Sequence, residues 1–159
     1  MKIEIKYKDV KNLDQKRISS LINYIINSLT LKLTEKKIND SEVSILVTNN
    51  FHIKQLNLKY KNLNKETNVL SFPQDSFLKI LDNKEKINLI GDIVLSIEKI
   101  EEEAKKYSKR FEERLAHMII HGLLHLLGYN HQKAGARKKM EKIEREMMSN
   151  LYMSDPYCY

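Results

Sequence analysis

Hydrophobic residues recur along the chain with two periods, and each change from one to the other marks an element boundary. Ile3, Ile5 and Tyr7 alternate with Lys and Glu, the period-two pattern of a half-buried strand. From about Asp14 the period lengthens. Ile18, Leu21, Ile22, Ile25, Ile26 and Leu29 fall at i, i+3, i+4, i+7, i+8 and i+11, one apolar face of a helix. Val43, Ile45 and Val47 return to period two and predict a second strand. Asn49 or Asn50 then supplies a cap for a short helix carrying Ile53, Leu56 and Tyr60. Val69–Phe72 is a short apolar run stopped by Pro73, whose missing N–H suits the margin of a sheet. Phe77–Ile87 reads as a polar loop, and Leu89–Leu95 as a further strand interrupted by Gly91.

Three helices complete the pattern. Ser96 caps a charged helix reaching about Tyr107. The next runs from about Phe111 to Leu127 and stops at Gly128, which readily takes the left-handed conformation just past a helix end. In the last, Ala136, Met140, Ile143, Met147 and Leu151 share one face. Strands followed by a run of helices predict an α+β fold. The expectation is a single domain over 1–159, a mixed sheet of about four strands with helices packed on it, and the apolar 111–127 helix buried at the centre. At 159 residues the chain is long enough to bury about two-thirds of its unfolded surface.

Composition removes several classes. With 42% hydrophobic and 31% charged residues, 4 Gly and 2 Pro, the chain is neither disordered nor a loop-rich scaffold held by cross-links. Cys158 is its one cysteine, so an internal disulfide and a thiolate metal site are both excluded. Any metal must be held by histidine or oxygen. No apolar run approaches the roughly 18 residues of a membrane span, and MKIEIKYKDV has no apolar signal core. A cytoplasmic protein without a membrane partner is expected. The net charge of +7, carried mostly by lysine, suits an anionic partner such as nucleic acid, although lysine- and asparagine-rich chains also arise from coding bias.

Four of the five histidines, His117, His121, His125 and His131, lie within fifteen residues. The helix holding the first three is apolar nearly all round, and a buried imidazole must be neutral and hydrogen-bonded or bound to something. His121 and His125, four apart, project from one face. Gly128 ends the helix, and Tyr129-Asn130 turns the chain so that His131 comes back toward the same point. Three imidazoles with a fourth position left open describe a zinc site, one ion per chain. A lone histidine on an apolar face is ordinarily a satisfied core residue, but that reading does not account for three at this spacing around a glycine. His117, His121 and His125 would span about 12 Å of helix axis and cannot share one ion, so His117 is expected to be a core or supporting group. His52 is expected at the surface. The spacing matches the extended zinc-protease pattern H-E-x-x-H-x-x-G-x-x-H, except that Gly122 replaces the glutamate base. Peptide hydrolysis by that route is disfavoured, and the glycine suggests a backbone or a substrate passing close by.

These residues carry a family likeness. His121-Gly-Leu-Leu-His125-Leu-Leu-Gly-Tyr-Asn-His131 resembles the H-G-x-L-H-L-x-G-Y-D-H signature of the YbeY family of bacterial metal-dependent endoribonucleases. Tyr60-Lys61 followed by Thr67-Asn68-Val69-Leu70-Ser71-Phe72-Pro73, and Gly91-Asp92-Ile93, are similar to two further blocks of that family, so the likeness covers essentially the whole chain. The resemblance implies zinc on His121, His125 and His131, cleavage of single-stranded RNA, and 3′-end maturation of 16S rRNA with quality control of the small ribosomal subunit. The implied partners are ribosomal RNA, the small subunit and a ribosomal protein, with no DNA. Three positions depart from the pattern: Lys61 stands for the usual arginine, Asn64 for a frequent aspartate, and Asn130 for the aspartate of G-Y-D-H. Lysine keeps the charge at position 61 and loses the bidentate fork.

On this reading His121, His125, His131 and Lys61 are the candidate catalytic residues, Lys61 neutralising charge on the phosphate. Two alternatives remain. One is a metal-dependent hydrolase of peptide or small amide substrates, which needs a carboxylate base such as Asp92 or Glu66. The other is a non-catalytic ribosome-assembly factor whose zinc is structural. The run Glu101-Glu102-Glu103 with Lys105-Lys106 reads as a solvated helix face, and the tyrosines at 107, 152, 157 and 159 receive no role.

Overall fold

The structure, a computed structural model, describes residues 1–30, 41–74 and 89–159. The loop expected over Phe77–Ile87 lies outside the described residues. Strands β1 (Lys2–Tyr7), β2 (Glu42–Thr48), β3 (Val69–Pro73) and β4 (Leu89–Ser96) form one sheet in the order β1-β2-β4-β3. β2 pairs in parallel with β1 and β4, while β3 pairs antiparallel with β4, so the sheet is mixed. Five helices are described: α1 (Gln15–Thr30), α2 (Asn50–Lys61), α3 (Ile97–Lys106), α4 (Phe111–Leu126) and α5 (Ala134–Asn150). The element order and the α+β class are those the periodicity predicts.

Local chemistry explains where the helices start. Asp14 Oδ1 accepts the Arg17 N–H at 3.0 Å, Asn49 Oδ1 that of His52 at 2.9 Å, and Ser96 Oγ that of Lys99 at 3.3 Å. Alternation within the strands sends side chains to two faces. Val43, Ile45, Val47, Ile93 and Leu95 join the main core with Ile18, Ile22, Ile25, Ile26 and Leu29 of α1 and the apolar residues of α4 and α5. Val94 and Leu70 point the other way and meet Ile53 of α2 in a smaller cluster. Tyr60, placed by periodicity on the apolar face of α2, is instead 58% exposed and rests edge-on against Phe72.

α4 is the element that everything else surrounds. It touches α1, α3, α5, β3 and β4, and from Glu113 to Ile120 every residue is buried. Gly122 explains how it comes so near the sheet. A Cβ there would sit 3.2 Å from Ile93 Cγ2 and from Ser71 Oγ. The close approach expected at this glycine is therefore made by side chains of β3 and β4, and not by a substrate. Among the described residues no helix is long and apolar enough to cross a membrane.

Gly91 does not interrupt β4. It sits at a register irregularity opposite Glu42 and Val43, with φ of +147°, and the strand continues to Ser96. A Cβ at this point would lie 2.3 Å from the Phe72 carbonyl oxygen, so both conformation and space require glycine. Gly91→Ala should lower unfolding stability by on the order of 3 kcal/mol, measured by denaturant titration against the wild type.

Candidate metal centre

The end of α4 builds the site. Leu127 and Gly128, the latter at φ +91°, turn the chain, and the Tyr129 N–H returns to the Leu124 carbonyl at 3.0 Å. Asn130 Oδ1 accepts the Gln132 N–H at 3.3 Å, a turn contact that an aspartate oxygen would make equally well. His131 emerges beside His121 and His125. The ring centroids of His121 and His125 are 4.6 Å apart, those of His125 and His131 5.0 Å, and those of His121 and His131 5.4 Å. Each ring offers a nitrogen within 4.8 Å of the others. A second group, His117, His121 and Glu144, meets the same distance, so His121 belongs to both candidate ion sites.

Proton placement follows from the partners. Glu144 Oε1 lies 2.7 Å from His121 Nδ1, and an ionised carboxylate only accepts, so Nδ1 carries the proton and Nε2 presents its lone pair. That Nε2 is 3.0 Å from His125 Nε2, a contact that requires a proton or a cation between the two nitrogens. Burial, reinforced by His121 and His131, pushes His125 down to about 4, so at neutral pH the ring is uncharged and one of its two nitrogens is free to present a lone pair. Neutral imidazoles with converging lone pairs are the donor set a divalent ion needs, and the residues present fit one.

His117 is 5% exposed and supports the cluster from below. Burial lowers its pKa. Arg114 Nη1 donates to its Nδ1 at 3.0 Å, which leaves the proton on Nε2, 3.7 Å from Glu144 and without a hydrogen-bond partner. Arg114 is itself held by Glu103 at 2.6 and 2.9 Å, and Glu103 also accepts from Asn68 Nδ2 at 3.0 Å. Glu103 is therefore turned inward, unlike Glu101 and Glu102, which are solvated as expected of the charge run. Burial resists ionisation of Glu144, but the nearby His117 ring and the hydrogen bonds from His121 and Tyr157 outweigh it and hold the carboxyl at about 2.

The three imidazoles open onto a cleft of about 310 Å³ between the end of α2, edge strand β3 and the α4 turn. Lys61, Thr67, Asn68, Ser71 and Pro73 form its other walls. Lys61 makes no ion pair among the described residues. Neither Glu66, 3.8 Å from Lys99, nor Asp92 lines the cleft, and among its described residues there is no carboxylate. Asn64 is exposed, and His52 is half-buried at the start of α2, away from the cleft lining. Glu144, Tyr157, Arg114 and Glu103 are functional neighbours that periodicity did not single out. One signal was available: Glu144 falls on the stripe of Met140, Met147 and Leu151, a lone carboxylate on a buried helix face.

An α+β domain whose central helix delivers paired imidazoles to an open cleft beside a lysine defines a metal-dependent hydrolase. The family model described as Endoribonuclease YbeY matches residues 2–152. The Endoribonuclease YbeY of Buchnera aphidicola subsp. Schizaphis graminum is 41% identical over 150 residues, covering 94% of this chain and 87% of that protein. That of Caldicellulosiruptor bescii is 37% identical, covering 95% and 98%. The solution structure of TM1509 from Thermotoga maritima superposes with a TM-score of 0.59 at 25% identity over 99% of each chain. The chain belongs to the YbeY endoribonuclease family.

The segment after α5 is tied back to the start of α4. Lys109 Nζ donates to the Asp155 carbonyl at 2.7 Å, and Glu113 Oε1 accepts the Ser154 N–H at 3.1 Å. Burial opposes ionisation of Glu113, yet bonds from Ser154 and Arg110 prevail and set its carboxyl at about 2. A folded pKa below the unfolded value means stability that is present above about 4.5 and lost as pH falls toward 2. Glu113→Gln should therefore be less stable than wild type by about 1–3 kcal/mol at pH 6. The gap should close between pH 4.5 and 2, read from denaturant midpoints across that range.

Proposed function

We propose that this protein cleaves single-stranded RNA at a zinc ion held by His121, His125 and His131, one ion per chain. We propose further that its substrate is the 3′ end of 16S rRNA on the small ribosomal subunit, in the cytoplasm. The observation that carries the reading is three imidazoles converging on a cleft whose opposite wall holds an unpaired lysine and no carboxylate among the described residues. Family membership supports RNA as the substrate, and the resemblance set out above supports the ribosomal setting, a ribosomal protein as docking partner, and participation in small-subunit quality control.

A divalent ion in this donor set supplies Lewis acidity, polarising a phosphate oxygen and lowering the pKa of a water toward neutrality. The chain's own residues do the rest. His125 stays neutral because burial and the proximity of His121 and His131 disfavour its charged form. Lys61 meets the phosphate as a point charge and offsets negative charge that grows during cleavage. Thr67, Asn68 and Ser71 put hydroxyl and amide groups along the wall, where sugar and phosphate oxygens of a strand can be hydrogen-bonded. Glu103 and Arg114 hold Asn68 at the cleft wall and His117 in the core of α4 at fixed positions.

Hydrolysis of a peptide or small amide asks for a carboxylate base within reach of the reacting centre. The described lining holds none, which favours the phosphodiester reaction. A purely structural zinc would be closed by four protein ligands, whereas this cluster has three and faces a cleft.

Two outcomes test the reading. Chelation, His121→Ala and His125→Ala should each abolish both bound zinc and cleavage of single-stranded RNA, with denatured protein left uncut throughout. Full cleavage by a zinc-free variant would overturn it. Lys61→Ala should keep its zinc and lose about a hundredfold in cleavage rate, and Lys61→Arg should retain activity; equal rates in all three proteins would remove Lys61 from the mechanism.

A further inference from the structure

Glu144 lies next to the ion site, yet the reading above gives it no task. Its side chain is fully buried on α5, and no lysine or arginine pairs with it among the described residues. What surrounds it are hydrogen-bond donors: His121 Nδ1 on Oε1, the Tyr157 hydroxyl on Oε2, and His117 Nε2 farther off at 3.7 Å. A buried carboxylate without a cationic partner is costly, so its hydrogen bonds are what keep it ionised there.

The same atoms could instead coordinate a second ion, since His117, His121 and Glu144 lie within ligand distance of one another. Three features argue against that. Arg114 donates to His117 Nδ1, which leaves a proton, and not a lone pair, on the Nε2 that faces Glu144. The Arg114 guanidinium would also stand one ring away from the ion. Finally, His121 would have to give up both ring protons to serve both groups. The 2.7 Å contact is better explained as a hydrogen bond from an imidazole to a carboxylate.

We propose that Glu144 and Tyr157 are positioning residues of the metal centre. Glu144 accepts a hydrogen bond from the Nδ1–H of His121 and so fixes the ring with Nε2 turned into the cleft, and Tyr157 locks Glu144 in place. A ligand imidazole that donates its second nitrogen to a carboxylate is oriented by it and made more basic. Tyr157 reaches Glu144 because the chain after α5 folds back: Tyr157 N–H bonds Asp155 Oδ1 at 2.9 Å, Arg145 Nε bonds Asp155 Oδ2 at 3.2 Å, and the Tyr157 ring packs edge-on against His117 at 5.3 Å. The C-terminal segment thereby acts on zinc affinity without touching the ion. This inference rests on the assignment of the ion to His121, His125 and His131.

The test uses the full chain and zinc alone as ligand. In metal-free wild type, nitrogen-15 spectra should show His121 as the Nδ1–H tautomer. Glu144→Gln keeps the shape and both hydrogen-bond partners while removing the charge. It should weaken zinc binding about 10–100-fold in chelator competition. Tyr157→Phe, which spares the ring packing, should weaken it by less and leave the thermal midpoint of the metal-free protein close to wild type. Unchanged affinity in Tyr157→Phe together with an Nε2–H tautomer of His121 in wild type would overturn the proposal, even if Glu144→Gln failed to fold. A second zinc equivalent present in wild type and lost in Glu144→Gln would also overturn it, in favour of coordination. Wild type that binds no zinc while showing the Nδ1–H tautomer would instead overturn the three-histidine assignment beneath it.

Discussion

An imidazole inside a protein core has to be uncharged, and each of its two nitrogens needs something to do. α4 takes three histidines into the interior, and most of what surrounds it answers that requirement. His117 accepts a hydrogen bond from Arg114, which in turn needs Glu103; His121 donates one to Glu144, which in turn needs Tyr157; His125 is kept neutral by burial among its neighbours. Each of these groups left unpaired in the core would cost about 1–3 kcal/mol, more where it is charged. The partners come from α3, α4, α5 and the C-terminal segment, so satisfying one helix draws in four parts of the chain. Two requirements remain after that accounting: the His117 Nε2 proton, buried without a partner, and the facing nitrogens of His121 and His125 at 3.0 Å, which open onto the cleft.

The same constraint separates what the sequence reveals from what it hides. The elements are legible because periodicity is local: Ile18 to Leu29 can only be one helix face, and Ile3, Ile5 and Tyr7 only one side of a strand. The histidine cluster is legible for the same reason, since helix spacing and one glycine bring three rings together within eleven residues. Its supports come from farther away. Glu144 is 23 residues from His121 and 13 from Tyr157, and nothing in composition or spacing pairs them. Glu103 looks identical to Glu101 and Glu102 until α4 places Arg114 beside it. Gly122 signals a close approach, but periodicity cannot say that Ser71 and Ile93 are what approaches.

Charge gains meaning in the same way. A net +7 spread over a surface says little beyond an affinity for anions. Lys61 places one of those charges on the wall of the cleft that the three imidazoles line, where the proposed function puts the phosphate. Lysine in place of the family's arginine keeps that charge on a flexible stem, so Thr67, Asn68 and Ser71 have more of the orienting to do. Gly122, which follows His121 where the zinc peptidases of the same histidine spacing carry their glutamate base, is equally informative, because it separates the two chemically.

Where an ion sits decides between the two groups that share His121. The most direct measurement is an anomalous difference map from crystals of the zinc-loaded protein, recorded above and below the zinc edge. One peak per chain, within bonding distance of His121 Nε2, His125 and His131 and open to the cleft, is the predicted result. A peak enclosed by His117, His121 Nδ1 and Glu144, or none at all in protein that still cleaves RNA, would contradict it.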